Sequence, residues 1–401
     1  MELGIKNTKV YAEVLDQGAI TQFTEAMALD CNIQGALMPD AHKGYTLPIG
    51  AVIKSKGRVF PGYVGYDIGC GLCAVKLNIT KDELDLNALK RNIVQKVPIG
   101  AKKHKKTQKY TLSGNHTKIA KESFESSGTY QLGTLGSGNH FIEVGTGRDG
   151  KVWIVVHSGS RGFGYKIAEH YMKEAAIDNT DEQRYIDEFK RNNDWEHRNP
   201  EKFKTIMDEF VYRRVRARLN AKIEGHHSLD INSRRGKDYL KDLNVALDFA
   251  VENRKRMIGE VVELMGSPKE LMFINRNHNH AEVKGDEVIH RKGATHAEDG
   301  MYGVIPGNMK DGSFIVKGKG DKDSMNSSSH GAGRILSRMK AKELLNYKEF
   351  NEDMEGIVTN HGKSTLDESP RAYKNIFEVM DLQKDLVEVI DHITPILNIK
   401  G

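Results

Sequence analysis

Cysteine is nearly absent: Cys31, Cys70 and Cys73 are the only three in 401 residues. A disulfide scaffold is therefore excluded, and so few thiols suit a reducing, cytoplasmic setting. Proline is scarce too, at 9, and no Pro- or Ser-rich linker or internal repeat divides the chain. No apolar run approaches the roughly 18 residues that a membrane-spanning helix needs, so no membrane is expected. Met1 to Ile20 lacks a basic stretch followed by an apolar one, so no secretory signal is expected. Charge of one sign is also missing: 60 Lys+Arg against 55 Asp+Glu leave +5, too small an excess to establish a polyanionic partner. What exceeds the norm is glycine, 39 residues, about 10% of the chain where about 7% is usual. Hydrophobic residues make up 38%, a soluble globular composition with ample material for a core.

Residues 36–76 read as short strands broken by glycine turns, at Ala51-Val52-Ile53, Val64-Gly65 and Ala74-Val75-Lys76-Leu77. Val152-Trp153-Ile154-Val155-Val156 is apolar throughout, as a buried strand requires. From about 165 to 265 the pattern turns helical; between Tyr239 and Met265 apolar residues recur three and four apart. Strands resume at Leu271–Ile274 and Ser313–Val316, and a helix is expected from near Gly333 through Leu345. The expectation is one catalytic domain over residues 1–401, a strand-and-turn core interrupted by a helical insertion at about 165–265. Between Lys96 and Lys121 lie eight lysines, Lys102, Lys103, Lys105 and Lys106 among them, and no acidic residue. A solvated loop and a polyanion-facing loop fit that stretch about evenly, with Tyr110, His104 and His116 tilting it toward nucleic acid.

The histidines carry the strongest local signal. His157 follows an apolar strand, His278 follows another by a few residues, and His140 heads a third. His330 sits in Ser329-His330-Gly331-Ala332-Gly333-Arg334, before the expected helix. Strand ends and Gly-rich turns are where functional groups collect. Each alone reads as structural; four in matching settings do not. Asp67 and Cys70, in Asp67-Ile68-Gly69-Cys70-Gly71-Leu72-Cys73, add anionic ligands. The odd separation of Cys70 and Cys73 sends them to opposite faces of an extended segment, which leaves Cys70 as a ligand and Cys73 as core. On ligand softness alone, Asp, Cys and several His suggest zinc.

Two phosphate motifs fail. Gly356 to Gly362-Lys363-Ser364 has five intervening residues where a P-loop has four, and Gly331-x-Gly333 lacks the third glycine of a dinucleotide fingerprint. Gly331, Gly333 and Arg334 at a helix start would still offer N–H groups and a guanidinium to an anion, with His330 beside it as a nucleophile toward phosphorus. In the strand after Asn139, period two places Phe141 and Glu143 on one face. A ring beside a carboxylate suits guanine, although from spacing alone a core Phe and a surface Glu is the plainer reading.

Assembled, these segments resemble the RNA-splicing ligase RtcB family over nearly the whole chain. The resemblance rests on Met38-Pro39-Asp40-Ala41-His42, Val64-Gly65-Tyr66-Asp67-Ile68-Gly69-Cys70-Gly71, Leu135-Gly136-Ser137-Gly138-Asn139-His140-Phe141-Ile142-Glu143 and His157-Ser158-Gly159-Ser160-Arg161-Gly162. It continues through His278-Asn279, Arg291-Lys292-Gly293-Ala294-Thr295, Pro306-Gly307-Asn308-Met309, Ser329-His330-Gly331-Ala332-Gly333-Arg334 and the terminal Ile399-Lys400-Gly401. It implies an α+β fold with mixed sheets around a central metal site and helices outside. It also implies GTP- and manganese-dependent joining of RNA 2′,3′-cyclic-phosphate or 3′-phosphate ends to 5′-hydroxyl ends. By that resemblance Asp67, Cys70, His140, His157 and His278 would hold two Mn²⁺, which replaces the zinc expectation. His330 would take GMP from GTP, oriented by Asp40. Asn139 through Glu143 (His140, Phe141 and Ile142 between them), His278, Asn279, Pro306, Gly307, Asn308, Met309, Ser313, Gly331, Ala332, Gly333 and Lys400 would line the GMP site. Arg161 and the lysine stretch become candidates for RNA contact, and an archease-type activator joins RNA and GTP among the partners implied. This chain departs from many members at Asn308 and Lys310, where they carry Ser and Gly. The alternative is a metal-dependent phosphodiesterase or RNA end-healing paralogue, which would keep Asp67, Cys70 and the histidines but not need His330 or Glu143. An RNA-binding protein without turnover leaves His330 unexplained.

Overall fold

The structure, a computed structural model, describes residues 3–178, 182–219 and 223–401. The apolar runs become the middle of an antiparallel path of seven strands. Its order is Tyr302–Pro306, Ser313–Gly318, Val387–Lys400, Phe141–Thr146, Lys151–Ser158, Gly71–Thr80 and Glu270–Asn277, with Val358–Thr359 beside Val387–Lys400. Strand Lys151–Ser158 is buried on both faces, which explains an apolar run without alternation. One face packs Val75, Ile154 and Val156 against Met257, Ile258 and Val261 of the helix Arg234–Leu264. On the other face the sheet curls until Val304 and Ile315 of its far end touch Leu72, Trp153 and Ile274.

A second sheet runs Thr8–Val10, Asn32–His42, Ile49–Lys56, Glu287–Lys292, Asn279–Lys284. Helix Gln17–Met27 covers it with Phe23 and Ala26, and starts where the Asp16 carboxylate accepts from the Ala19 N–H at 2.9 Å. The two sheets meet at His278, where the chain leaves Glu270–Asn277 and enters Asn279–Lys284. The architecture is thus α+β, with sheets around a buried histidine and cysteine cluster.

Residues 165–265 hold helices Arg161–Asp178, Glu182–Asn192, Pro200–Leu219 and Arg234–Leu264. A short ribbon, Arg58–Val59 with Leu229–Asp230, ties that stretch to the second sheet. No helix among the described residues is long and apolar enough to cross a membrane.

Two local expectations fail. Val64-Gly65 is not strand, because Pro61 opens a single helical turn, Pro61–Val64, that Gly65 ends at φ +88°. The helix expected from Gly333 begins only at Arg338, capped by the Ser337 hydroxyl. Gly333 has φ +76°, and a Cβ there would lie 2.2 Å from the Asp40 carbonyl oxygen. Residues 331–333 are therefore a turn pressed against Asp40 and not a helix N-terminus.

Candidate metal centre and nucleophilic histidine

Four of the five candidate ligands stand at the end of a strand; Asp67 lies in the turn between Pro61–Val64 and Cys70. Cys70 immediately precedes Gly71–Thr80, His140 precedes Phe141–Thr146, His157 is next to last in Lys151–Ser158, and His278 joins the two sheets. Register places Leu72 opposite His157 and Phe141 opposite His157, so neighbouring strands deliver their ends to one point. There the Cys70 Sγ lies 3.4 Å from His140 Nε2 and 3.2 Å from His157 Nε2. His157 Nε2 is 3.3 Å from His278 Nε2, and His140 Nε2 is 3.0 Å from Asp67 Oδ2. Cys70 is therefore common to two ligand triads, one with His157 and His278, the other with Asp67 and His140. Cys73 lies on the opposite face, in the core with Ile142 and Ile154.

The donor set fits divalent transition ions. His140 Nδ1 donates to the Leu135 carbonyl at 2.9 Å and His157 Nδ1 to that of Asn139 at 3.2 Å, which turns both Nε2 atoms toward the cluster. Burial, with neighbouring cationic groups second, lowers the pKa of His157 and His278 well below the ordinary imidazole value, so both are neutral, as candidate ligands must be. Burial pushes the Asp67 carboxyl up, but its hydrogen bond and attraction to His140, with Arg161, outweigh it and the net shift is downward. Burial and the Asp67 charge raise the Cys70 thiol, so its thiolate needs a cation in place.

Beside this cluster stands His330, its ring centroid 4.7 Å from that of His278. His330 ends the short strand Ser327–Ser329, which pairs with Ala294–His296. Its Nδ1 donates to Asp40 Oδ2 at 2.7 Å, and the same oxygen accepts from the N–H groups of His330 and Gly331. Asp40 is fully buried. It lies where strand Asn32–His42 bulges, between the pairs Leu37↔Ala51 and His42↔Ile49, and the bulge re-aims its carboxylate at His330. The tautomer this fixes leaves His330 Nε2 with a free lone pair. Gly333→Ala should drive a Cβ into the Asp40 carbonyl at a left-handed backbone position. We expect a loss of roughly 2 kcal/mol or more in a thermal melt.

A second group gathers around Glu143. Contrary to the surface reading, Glu143 is buried, accepting from Ser313 Oγ at 2.9 Å and Asn398 Nδ2 at 3.2 Å. Burial pushes its carboxyl up to about 7, against the opposing effects of Ser313, Lys400 and Asn398. Phe141 lies on the same face, with Lys400 Nζ 5.1 Å from its ring centre. Lys400 is held by Glu368, which also receives Arg338 at 2.6 Å and the Tyr373 hydroxyl at 2.6 Å. Sequence reasoning missed Glu368, which stands in a 3₁₀ segment with no motif of its own. It also left Lys292 without a role; burial lowers this lysine to about 8, and its Nζ occupies the space a Cβ on Gly65 would need.

Other expected lining residues divide by what they can offer. Asn279 donates to the Asp67 carbonyl and accepts from the Gly293 N–H, tying the two parts of the site together. Pro306 adjoins Gly331 through its carbonyl. The side chains of Ile142, Met309 and Ala332 are packed in three separate cores, so only their backbone can face a ligand. Asn308 is spent on its own turn: its oxygen accepts from the N–H groups of Lys310 and Asp311, its amide donates to Asp311, and Gly307 pairs with Gly312. Lys310 reaches Asp353 instead of the site. Arg161 lies beside Gly136, where its guanidinium fills the space a side chain would take, and feels Asp67 and Cys70. Lys102, Lys103, Lys105 and Lys106 are exposed on an irregular loop held to the body by the N–H groups of Gly100, His104 and Gln108, which donate to Gly136, Tyr130 and Thr129. Tyr110 does not face outward for stacking; it packs on Phe124 and Phe249.

An α+β fold thus converges two candidate ligand triads on one cysteine, with a carboxylate-oriented histidine alongside, an arrangement suited to a metal-dependent enzyme. The family model described as tRNA-splicing ligase RtcB matches residues 22–125 and 107–401. The RNA-splicing ligase RtcB of Escherichia coli strain K12 is 34% identical over 400 residues, covering 91% of this chain and 90% of its own length. The tRNA-splicing ligases RtcB of Nanoarchaeum equitans and Methanococcus maripaludis are each 27% identical, covering 91% and 87% of this chain and 87% and 83% of their own. The chain belongs to the RtcB family of RNA-splicing ligases.

Proposed function

We propose that this protein joins RNA 3′-phosphate or 2′,3′-cyclic-phosphate ends to 5′-hydroxyl ends, using GTP, two Mn²⁺ ions and His330 as the nucleophile. The observation that carries this reading is the His330–Asp40 pair set against two triads that share Cys70. Asp67, Cys70, His140, His157 and His278 would hold the ions. Bound there, two divalent cations neutralise charge on the attacking and leaving oxygens of in-line phosphoryl transfer.

The chain's own residues account for the rest. Asp40 keeps the Nδ1 proton, so His330 Nε2 attacks the α-phosphorus of GTP; an N–P bond forms and pyrophosphate departs. The RNA 3′-phosphate oxygen then displaces the imidazole, taking GMP into a diphosphate linkage. Attack by the 5′-hydroxyl releases GMP and closes the phosphodiester. A cyclic end is first hydrolysed to the 3′-phosphate. Phe141 would stack on guanine, Glu143 would accept from its N1–H and exocyclic amine, and Lys400 would sit near both. Arg161 and the loop lysines would contact the RNA backbone. The test is to supply RNA with a 3′-phosphate and a 5′-hydroxyl, GTP and Mn²⁺, and look for the joined product on a denaturing gel. Hydrolysis of cyclic ends with no joining would favour the phosphodiesterase reading.

Glu143 makes GTP binding pH-dependent. Its carboxyl, raised to about 7, is protonated below that pH, and only the carboxylate would accept from both the N1–H and the exocyclic amine of guanine. GTP affinity should therefore rise as pH increases through about 7. In Glu143→Gln that rise should vanish, and preference over ATP should fall by about 10-fold or more, the cost of a lost hydrogen bond to a charged group. Nucleotide titration at pH 6 and pH 8 checks both.

A further inference from the structure

The long helix Arg234–Leu264 buries an apolar stripe that includes Phe249, Ala250, Met257 and Ile258. Two positions of that stripe, Asn253 and Arg254, are polar and fully buried. Arg254 Nη1 donates to the Gly69 carbonyl at 2.7 Å and the Ser158 carbonyl at 2.9 Å. Its Nη2 donates to Asn277 Oδ1 at 2.6 Å and its Nε to Asn275 Oδ1 at 2.8 Å. Gly69, Ser158 and Asn277 are the chain neighbours of Cys70, His157 and His278. Asn253 reaches the fourth segment: its oxygen accepts from the N–H groups of Gly133 and Thr134, and its amide donates to Ser158 Oγ and the Gly159 carbonyl. The Ser158 hydroxyl and His140 Nδ1 both donate to the Leu135 carbonyl, so the same turn aims His140. No carboxylate among the described residues forms an ion pair with Arg254. Burying a guanidinium without one is costly for a joint that only holds a helix to a sheet.

We propose that Asn253 and Arg254 are positioning residues for the metal centre, fixing the spacing of its ligand-bearing segments from behind. The proposal rests on the two-cation reading given above. A planar fork with donors on three nitrogens meets four acceptors in three segments; an ammonium, with three donors on one atom, cannot meet all four. Arg254→Lys keeps the charge and loses that reach.

The test uses Co²⁺ alone as probe, titrated into the metal-free protein and read by its thiolate charge-transfer absorption, with a thermal melt before metal is added. In Arg254→Lys the cobalt affinity should fall about 10–100-fold, as for other residues that orient metal ligands, with the melt still cooperative. Asn277→Ala removes a single acceptor and keeps the question open to measurement if Arg254→Lys does not fold; it should weaken the same band. A lower melting temperature with wild-type cobalt affinity, in either folded variant, would overturn the positioning role. A wild-type protein with no thiolate band would overturn the metal centre itself, and this role with it.

Discussion

Replacing His330 with alanine should end RNA joining while leaving cyclic-phosphate hydrolysis in place. His330 contributes no ligand atom to either triad, so its loss leaves both cation sites intact. Among the described residues its imidazole is the side chain that the Asp40 carboxylate orients, through Nδ1 at 2.7 Å. Removing a covalent nucleophile typically costs on the order of 10⁴- to 10⁶-fold in turnover, so joining should fall below detection. Hydrolysis of a 2′,3′-cyclic end requires a nucleophilic oxygen and charge neutralisation, and neither comes from the imidazole. The measurement is a single gel following both the conversion of the cyclic end to 3′-phosphate and the appearance of joined RNA. Parallel loss of the two activities would mean that His330 serves the metal centre and not the nucleotide.

Cys70→Ala should have the opposite pattern, abolishing both steps, because Cys70 alone belongs to both triads. Without it each triad retains two ligands, whereas His278→Ala strips one site and spares the other. Elemental analysis after Mn²⁺ loading and desalting should give about two ions for the wild type, about one for His278→Ala, and less than one for Cys70→Ala. The metal-free fold should tolerate the change, since the buried Cys70 is a neutral thiol when no cation is present. Two retained ions in Cys70→Ala would mean that neither site depends on Cys70.

The parts of the site that could be read from the sequence are those set by local geometry. Strand ends announced His140, His157 and His278, because the side chains that open or close an apolar run lie at the edge of its core. Parity separated Cys70 from Cys73, since a strand alternates faces. Pairings across long separations were not legible from local pattern, and the resemblance alone supplied them: Asp40 meets His330 only because a bulge in one strand and a left-handed glycine turn in another segment press together. The same turn defeated the helix expected from Gly333, where local propensity yields to close backbone approach. Glu143 looked like surface because spacing cannot show that Ser313 and Asn398, far along the chain, close over it. Asn253 and Arg254 did leave a trace, as two polar residues at positions where the helical period calls for apolar ones. Tyr110 misled because an aromatic among lysines can as easily anchor the loop as bind a base.

Incubation with Mn²⁺ and GTP labelled at the α-phosphate, followed by denaturing electrophoresis and peptide mapping, tests the central claim most directly. Label should remain on the protein, be released by acid as a phosphoramidate is, map to His330 and be absent from His330→Ala. An active wild type that joins RNA without acquiring label, or carries it on another residue, would contradict guanylylation of His330.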